Sequence, residues 1–317
     1  MKISIKVDED TGELTLTDEH GNLLDPKVER IVKRDHRDRI QDVMQKAADS
    51  INSESKTLTT LHTDTPPPDA REEEARQFDQ PEPRRPALPK KSWAHCIWPP
   101  AEKRRQIECQ RLERKYSEAC QDWESARQAF EEQEHNRLEK RRQVEEGSLT
   151  AMEQALGEAL SVLEWPYETL ISYELRSREH LVLDVDLPEI EMLPARQASV
   201  PQRSLKISIK TLSQANQRQQ YAQHIHAIGV RLIGECFNIL PTIQTITFSG
   251  YSQRLDASSG HEKDDYLYSV KVDRNLWSDL NFQELEKIDP VECLGQFEIR
   301  RKMTKTGIFR PIEPLEL

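Results

Sequence analysis

The chain is 317 residues long with a formal net charge of −11, and charged residues make up 32% of it against 36% hydrophobic. That length suits about two domains, and a charged share above the ~25% of an average globular protein means that part of the chain lies outside packed core. The acidic balance excludes a surface that is a nucleic-acid footprint throughout and leaves room only for a local basic patch. Cys96, Cys109, Cys120, Cys236 and Cys293 make no C-x-x-C pair and no zinc-type spacing, so they read as reduced thiols. No apolar run approaches the ~20 residues of a membrane span, and Met1 to Lys6 has no apolar stretch of signal-peptide length. These features predict a cytoplasmic protein without a membrane segment.

Residues 1–24 read as a β-meander. Ile3, Ile5 and Val7 alternate, Asp8 to Gly12 turns, Leu14 and Leu16 alternate back, and His20-Gly21-Asn22 turns again. A helix over 26–50 follows, with Asp25 as N-cap and Pro26 at its first position. Two or three short strands cannot bury a core alone, so this 1–51 module is expected to need a partner. Residues 52–92 hold seven of the 18 prolines and almost no large apolar residue. Burial cannot offset the ordering entropy of such a segment, which predicts a disordered or extended linker.

The segment 93–147 opens on Trp93 and Trp98 and continues as a helix. Cys109, Tyr116, Trp123, Phe130, Arg137 and Val144 recur every seven residues, with Leu112, Ala119 and Ala126 in the second seam. This pattern predicts a coiled-coil-like arm in which Trp93, Trp98, Tyr116, Trp123 and Phe130 meet a protein partner or a second copy. The opposite possibility for the tryptophans is that they cover the end of their own helix. Gly147-Ser148 ends the arm.

The remaining residues, 148–317, read as a mixed α/β domain in the order α-β-β-β-α-β-β-α. Its elements are a helix over 149–163, strands at 170–175, 181–187 and 205–210, a helix over 213–239, strands at 243–249 and 266–272, and a helix from Asp289. The chain as a whole is thus of α+β or α/β class: N-terminal meander and helix, disordered linker, heptad helix, C-terminal α/β domain.

The strand at 181–187 delivers Asp184, Asp186, Glu189 and Glu191 to one end, where Pro188 stops it. Asp184 and Asp186, two apart, share a face and can touch one ion. With Lys210 on the next strand, and Glu158 or Glu168 nearby, the order permits a restriction-endonuclease-like nuclease core. There, carboxylates would hold Mg²⁺ or Mn²⁺ against a scissile phosphate and the lysine would support the developing anion. Ser208 stands where that pattern needs an acid before Lys210, so an ordinary acidic loop, or a docking site for a basic partner, is the competing reading. Arg300, Arg301, Lys302 and Lys305 form either a cationic end to the last helix or a nucleic-acid or phosphate contact. His224 and His226 point to different faces of their helix and cannot chelate together; His224 reads as a satisfied core histidine. Gly229 and Gly234 read as close-packing positions. His261 to Asp265 reads as a charged hairpin loop.

Trp165-Pro166, Asp184-Val-Asp-Leu-Pro-Glu-Ile-Glu191, Tyr251-Ser-Gln-Arg254, Tyr266-Leu-Tyr-Ser-Val270 and Arg301-Lys-Met-Thr-Lys-Thr-Gly307 carry a resemblance. On these motifs the half from about 165 to 317 resembles a bacterial family of domains of unknown function. The resemblance implies a bacterial source and brings no activity. The sequence therefore predicts an interaction or assembly protein of a bacterial multiprotein system, contacting protein partners through the heptad helix and the N-terminal module, with no cofactor. A Mg²⁺-dependent nuclease acting on nucleic acid is the alternative.

Overall fold

The structure is a computed structural model that describes residues 3–8, 11–68, 75–91, 98–202, 205–255 and 260–316. Trp93 and Cys96 lie outside these residues. The chain is α+β and divides into two compact units, one of Met1–Ala70 with Met152–Leu317, the other of Arg71–Ala151. The N-terminal module thus belongs with the C-terminal domain and is not a separate piece.

In the first unit, β1 (Ser4–Val7) and β2 (Leu14–Thr17) pair antiparallel, and the third limb of the meander is a single bridge from Thr17 to Leu23. Asp25 caps α1 (Pro26–Asp35), its carboxylate accepting from the Lys27 N–H at 2.8 Å. The second helix, α2, runs from Arg37 to Thr60. The hairpin finds its apolar cover within the chain. Ile5, Val7 and Leu14 pack on Ile40, Met44 and Ala48 of α2 and on Ala198 and Ile207. Ala198 lies in β5 (Arg196–Ser199) and Ile207 directly precedes β6 (Ser208–Thr211), and these two strands form a ribbon, a sheet of their own. The strand expected at 205–210 is therefore not a member of the central sheet.

The helix α2 continues about ten residues past its expected end, into the expected linker, and a 3₁₀ turn over Leu61–Asp64 follows. Polar contacts, which hydropathy does not register, hold this part. The Asn52 amide clasps the Ala198 backbone, donating to its carbonyl and accepting from its N–H, both at 2.8 Å. The Leu58 carbonyl meets His224 Nδ1 at 2.9 Å, and His62 Nε2 meets the Ile288 carbonyl at 2.9 Å. Of the two leucines of this stretch, Leu58 is fully buried and Leu61 partly so.

The central sheet has six strands in the order β10-β9-β8-β7-β4-β3. They are β3 (Ile171–Ser177), β4 (His180–Asp186), β7 (Thr245–Leu255), β8 (Glu262–Asp273), β9 (Glu298–Met303) and β10 (Phe309–Arg310). Neighbours are antiparallel except β4 and β7, which are parallel. A parallel pair needs a crossover, supplied by the helix Gln214–Ile239, here α5 after α3 and α4 below. The strand β8 reaches back through Glu262 to Asp265, so the expected charged loop is part of it. The basic run expected at a helix end is β9. The last helix, Pro290–Gly295, is only six residues long, and the alternation of Ile299, Arg301 and Met303 with Arg300 and Lys302 explains the strand.

The helix α5 is buried on several sides. One side takes the sheet, where the Tyr268 hydroxyl donates to the Ile225 carbonyl at 2.9 Å. Another takes the end of α2. Gly229 and Gly234 permit the two approaches: a Cβ at Gly229 would lie 2.4 Å from the Tyr268 hydroxyl, and one at Gly234 would lie 2.1 Å from Thr65 Cγ2.

The second unit is built on α3 (Pro99–Glu145), a helix of 47 residues. Gly147, at φ +79°, provides the left-handed stop, and α4 (Leu149–Ser161) starts after it. The aromatic seam of α3 is covered by residues 76–89 of the same chain, running antiparallel to the helix. The Phe78 ring lies 5.8 Å from Trp123 and 5.6 Å from Phe130. Trp123 Nε1 donates to the Gln80 carbonyl at 2.8 Å, and the Arg76 N–H donates to Glu134 at 2.8 Å. Arg105 reaches the Pro89 carbonyl at 3.4 Å. Arg137 and that Arg76 N–H hold the Glu134 carboxyl down to about 2. The rises match. Helix between Arg105 and Glu134 spans about 44 Å at ~1.5 Å per residue, and Arg76 to Pro89 spans about 40 Å at the ~3.1 Å of a polyproline II strand. Pro81, Pro83, Pro86 and Pro89 favour that extended form before docking, which lowers its ordering cost.

Phe78 is the anchor of this strap. Phe78→Ala is expected to raise the rate of tryptic cleavage after the exposed Arg84 about tenfold, the effect of losing ~1.4 kcal/mol of aromatic packing on a local opening equilibrium. An unchanged cleavage rate would count against the strap being held by its phenylalanine.

Candidate functional site

Alternation along β4 sends Leu181, Leu183 and Val185, all fully buried, toward α5 and leaves His180, Asp184 and Asp186 on the other face. Register extends that face across the sheet. Ser172, Asp184, Ser249, Ser269 and Arg300 lie side by side on β3, β4, β7, β8 and β9. In the next row Val182, Thr247, Lys271 and Glu298 are neighbours. Thr247, Ser249 and Ser269 are fully buried. Polar side chains in the middle of a sheet must find partners or cost stability.

The partners come from residues 312–316, which cross this face. The Ile312 N–H donates to the Tyr266 carbonyl at 3.1 Å. Arg300 donates to the carbonyls of Glu313 and Pro314 at 3.0 and 2.9 Å. The Leu315 N–H donates to Ser269 Oγ at 3.0 Å, Ser269 and Ser249 share a hydrogen bond of 2.9 Å, and Ser249 donates to the Glu316 carbonyl at 3.4 Å. Thus the hydroxyl pair begins and ends on the backbone of the crossing segment. The Glu316 carboxylate lies 3.1 Å from Lys271 Nζ and 3.3 Å from His180 Nε2, which is also 3.0 Å from Thr247 Oγ1. Burial pulls the His180 imidazole below its ordinary value and Glu316 opposes that pull.

The acidic cluster lies at the other end of the same face. The Tyr266 hydroxyl donates to Asp184 Oδ2 at 3.2 Å, while Asp184 Oδ1 is buried without a hydrogen-bond partner. Burial raises the Asp184 carboxyl, with Asp264 and Asp186 adding like charge; burial, then Asp264 and Glu189, raise Asp186. Tyr251 and Tyr266 stand beside them with ring centroids 5.5 Å apart. Such carboxyls hold protons more readily than exposed ones.

The geometry does not assemble the expected nuclease constellation. Lys210 is exposed on β6, opposite Gln197 in the ribbon, in a different sheet from Asp184 and Asp186. Glu189 and Glu191 are exposed around the 190–192 turn, and Glu158 and Glu168 are exposed as well. Among the described residues no group of three or more His, Cys, Asp or Glu is placed to hold a metal ion, and Asp184 and Asp186 are not joined by Glu189 or Glu191 in such a group. No family model, curated protein or solved structure matches the chain.

The basic run also divides. Arg301 points to the α5 side, where it donates to His226 Nε2 at 2.7 Å and to the Val291 carbonyl at 3.3 Å. Arg300 serves the 312–316 segment, and Lys302 and Lys305 are exposed. Of the aromatic partner-binding candidates, Trp123 and Phe130 face the strap, and Tyr116 lies near its Glu82 and Arg85. Trp98 is 62% exposed. It stands at a cleft with Pro89, Pro100, Arg104, Arg105 and Glu108 at the root of α3.

His180, Ser249, Ser269, Lys271 and Glu316 are the site residues that sequence reasoning missed. The available signal was Thr245-Ile-Thr-Phe-Ser249, where alternate positions of a central strand are polar. A strand buried on both faces is near-continuously apolar.

Proposed function

We propose that the chain is an interaction and assembly protein of a multiprotein system, with the helical unit as a partner-docking arm of the α+β domain. The observation that carries this is Trp98, 62% exposed beside a proline-lined cleft at the root of the 47-residue helix. A large exposed indole flanked by arginines is the composition of an interface hot spot. The strap supports the reading too, since it makes the helix a preformed two-element platform that loses little entropy on binding.

Light scattering of the full chain after size exclusion tests this reading. A mass above the 36.9 kDa of one chain is expected, either from a second copy or from a co-purified partner. Trp98→Ala is expected to weaken that association at least about tenfold, in line with the ~2 kcal/mol of a hot-spot tryptophan. A strictly monomeric chain with no companion protein, or an assembly indifferent to Trp98→Ala, would sink the proposal.

A further inference from the structure

The polar row across the central sheet has no structural need to be polar. Apolar side chains at Thr247, Ser249 and Ser269 would bury as well, as Ile246, Phe248 and Val270 do on the opposite face. What the polar groups do is read an extended chain. Four of their contacts with residues 312–316 go to main-chain atoms, from Arg300 twice and from Ser269 and Ser249 once each. The Tyr266 carbonyl adds a fifth. Contacts to the backbone do not depend on which residues supply it. Two features select sequence. Pro314 sits where its missing N–H has no acceptor to serve, its carbonyl alone being used. Two residues later, a carboxylate enters the pocket of Lys271, His180 and Thr247.

We propose that this face is a binding groove for an extended acidic peptide of a partner chain, of the form proline, any residue, glutamate or aspartate, and that residues 312–316 occupy it in cis. The occupying segment is fastened upstream. Phe309 of β10 packs on Tyr221 and His226 with ring centroids 6.1 and 6.0 Å away, and Pro311 follows. The chain beyond that anchor can lift from the sheet while β10 stays paired with β9. A tethered occupant competes at high effective concentration, so the groove is shielded from weak partners and opens to one that supplies the same carboxylate and more contact.

The groups facing the pocket define its charge logic. Lys271 and His180 face Glu316, with Arg176 near enough to lower the His180 titration, while Asp184 lies across Ser249 in the adjacent row. The pocket therefore prefers an anion at the His180 end and rejects one at the Asp184 end, which orients a peptide in the direction that residues 312–316 take.

A fluorescein-labelled, C-terminally amidated hexapeptide Pro-Ile-Glu-Pro-Leu-Glu, the sequence of 311–316, tests this by fluorescence anisotropy with the full chain. Glu316→Gln weakens the cis occupant and is expected to bind the peptide at least about tenfold more tightly than wild type, the effect of one charge-assisted contact. Adding Lys271→Met to Glu316→Gln is expected to remove about tenfold, and so is replacing the last glutamate of the peptide by glutamine. Circular dichroism verifies that each variant is folded; if Lys271→Met is not, His180→Gln on the Glu316→Gln background reads the same pocket. Equal anisotropy curves for wild type and Glu316→Gln would overturn the proposal. Binding indifferent both to the pocket residues and to the peptide carboxylate would overturn it as well.

Discussion

Gly234→Val should cost about 3 kcal/mol of unfolding free energy, at the upper end of overpacking effects. The Cβ would lie 2.1 Å from Thr65 Cγ2, 3.4 Å from the Trp277 ring and 3.5 Å from the Pro66 carbonyl. Thr65 cannot turn away. Its hydroxyl donates to the His62 carbonyl at 2.6 Å and its N–H to the same carbonyl at 3.2 Å. Trp277 is fully buried. Either α5 shifts in the sheet layer or residues 61–66 leave it, and both expose apolar surface. Urea titration measures the loss. Thr65→Ala removes the nearest atom and should recover about half of it in the double variant. If Gly234→Val alone leaves the unfolding midpoint unchanged, residues 61–66 are not seated on α5 as described.

Acidification should destabilise the fold, with His226 contributing most. Burial, with the Arg301 guanidinium second, lowers its imidazole from 6.5 to about 3. Nδ1 faces the Ala222 carbonyl at 2.7 Å and Nε2 faces Arg301 at 2.7 Å, which fixes the neutral tautomer with hydrogen on Nδ1. Between pH 6.5 and about 3 the unfolded chain carries a proton that the folded chain refuses. Stability contributed by His226 is therefore complete above that window and is lost as pH falls through it, about 2 kcal/mol from pH 7 to pH 5 at ~1.4 kcal/mol per unit. His62 and His224, lowered by burial, act in the same direction. The raised carboxyls of Asp184, Asp186 and Glu235 act against it, because the folded state takes up their protons first. His226→Gln keeps an acceptor for Arg301 and cannot titrate. Its stability should change about 2 kcal/mol less between pH 7 and pH 5 than that of wild type; identical pH slopes in the two proteins would refute the assignment.

The sequence made legible those elements whose stability is apolar and periodic. The strand His180–Asp186, the helix Gln214–Ile239 and the arm Pro99–Glu145 agree closely with expectation. So does the capping of α1 by Asp25. What it concealed is held by polar contacts or by distant parts of the chain. Residues 52–64 contain one buried large apolar residue, Leu58, and fold because Asn52, His62 and the Leu58 carbonyl meet groups far away in sequence. Ser208 to Thr211 has the alternation of any strand, and periodicity does not say which sheet it joins; its pairing with Arg196–Ser199 separates Lys210 from Asp184. The run Glu298–Met303 carries three consecutive cations, which favour the reading of a helix end, yet its alternate side chains divide between the two faces of the sheet. The site was half visible. Asp184 and Asp186 were found as charges, whereas Ser249 and Ser269 are inconspicuous until register places them in one row.

The matched rises of strap and arm tie two lengths together. Each strap residue accompanies roughly two residues of helix, from ~3.1 Å against ~1.5 Å. Inserting a heptad in α3 between Arg105 and Glu134 would preserve the seam but leave the strap short by three or four residues, about half a heptad. A drifting lineage could therefore not lengthen the arm by helix repeats alone. Related chains should show coupled insertions, two helical residues for each one in the proline-rich stretch, so the arm behaves as a ruler with two scales that must be recut together.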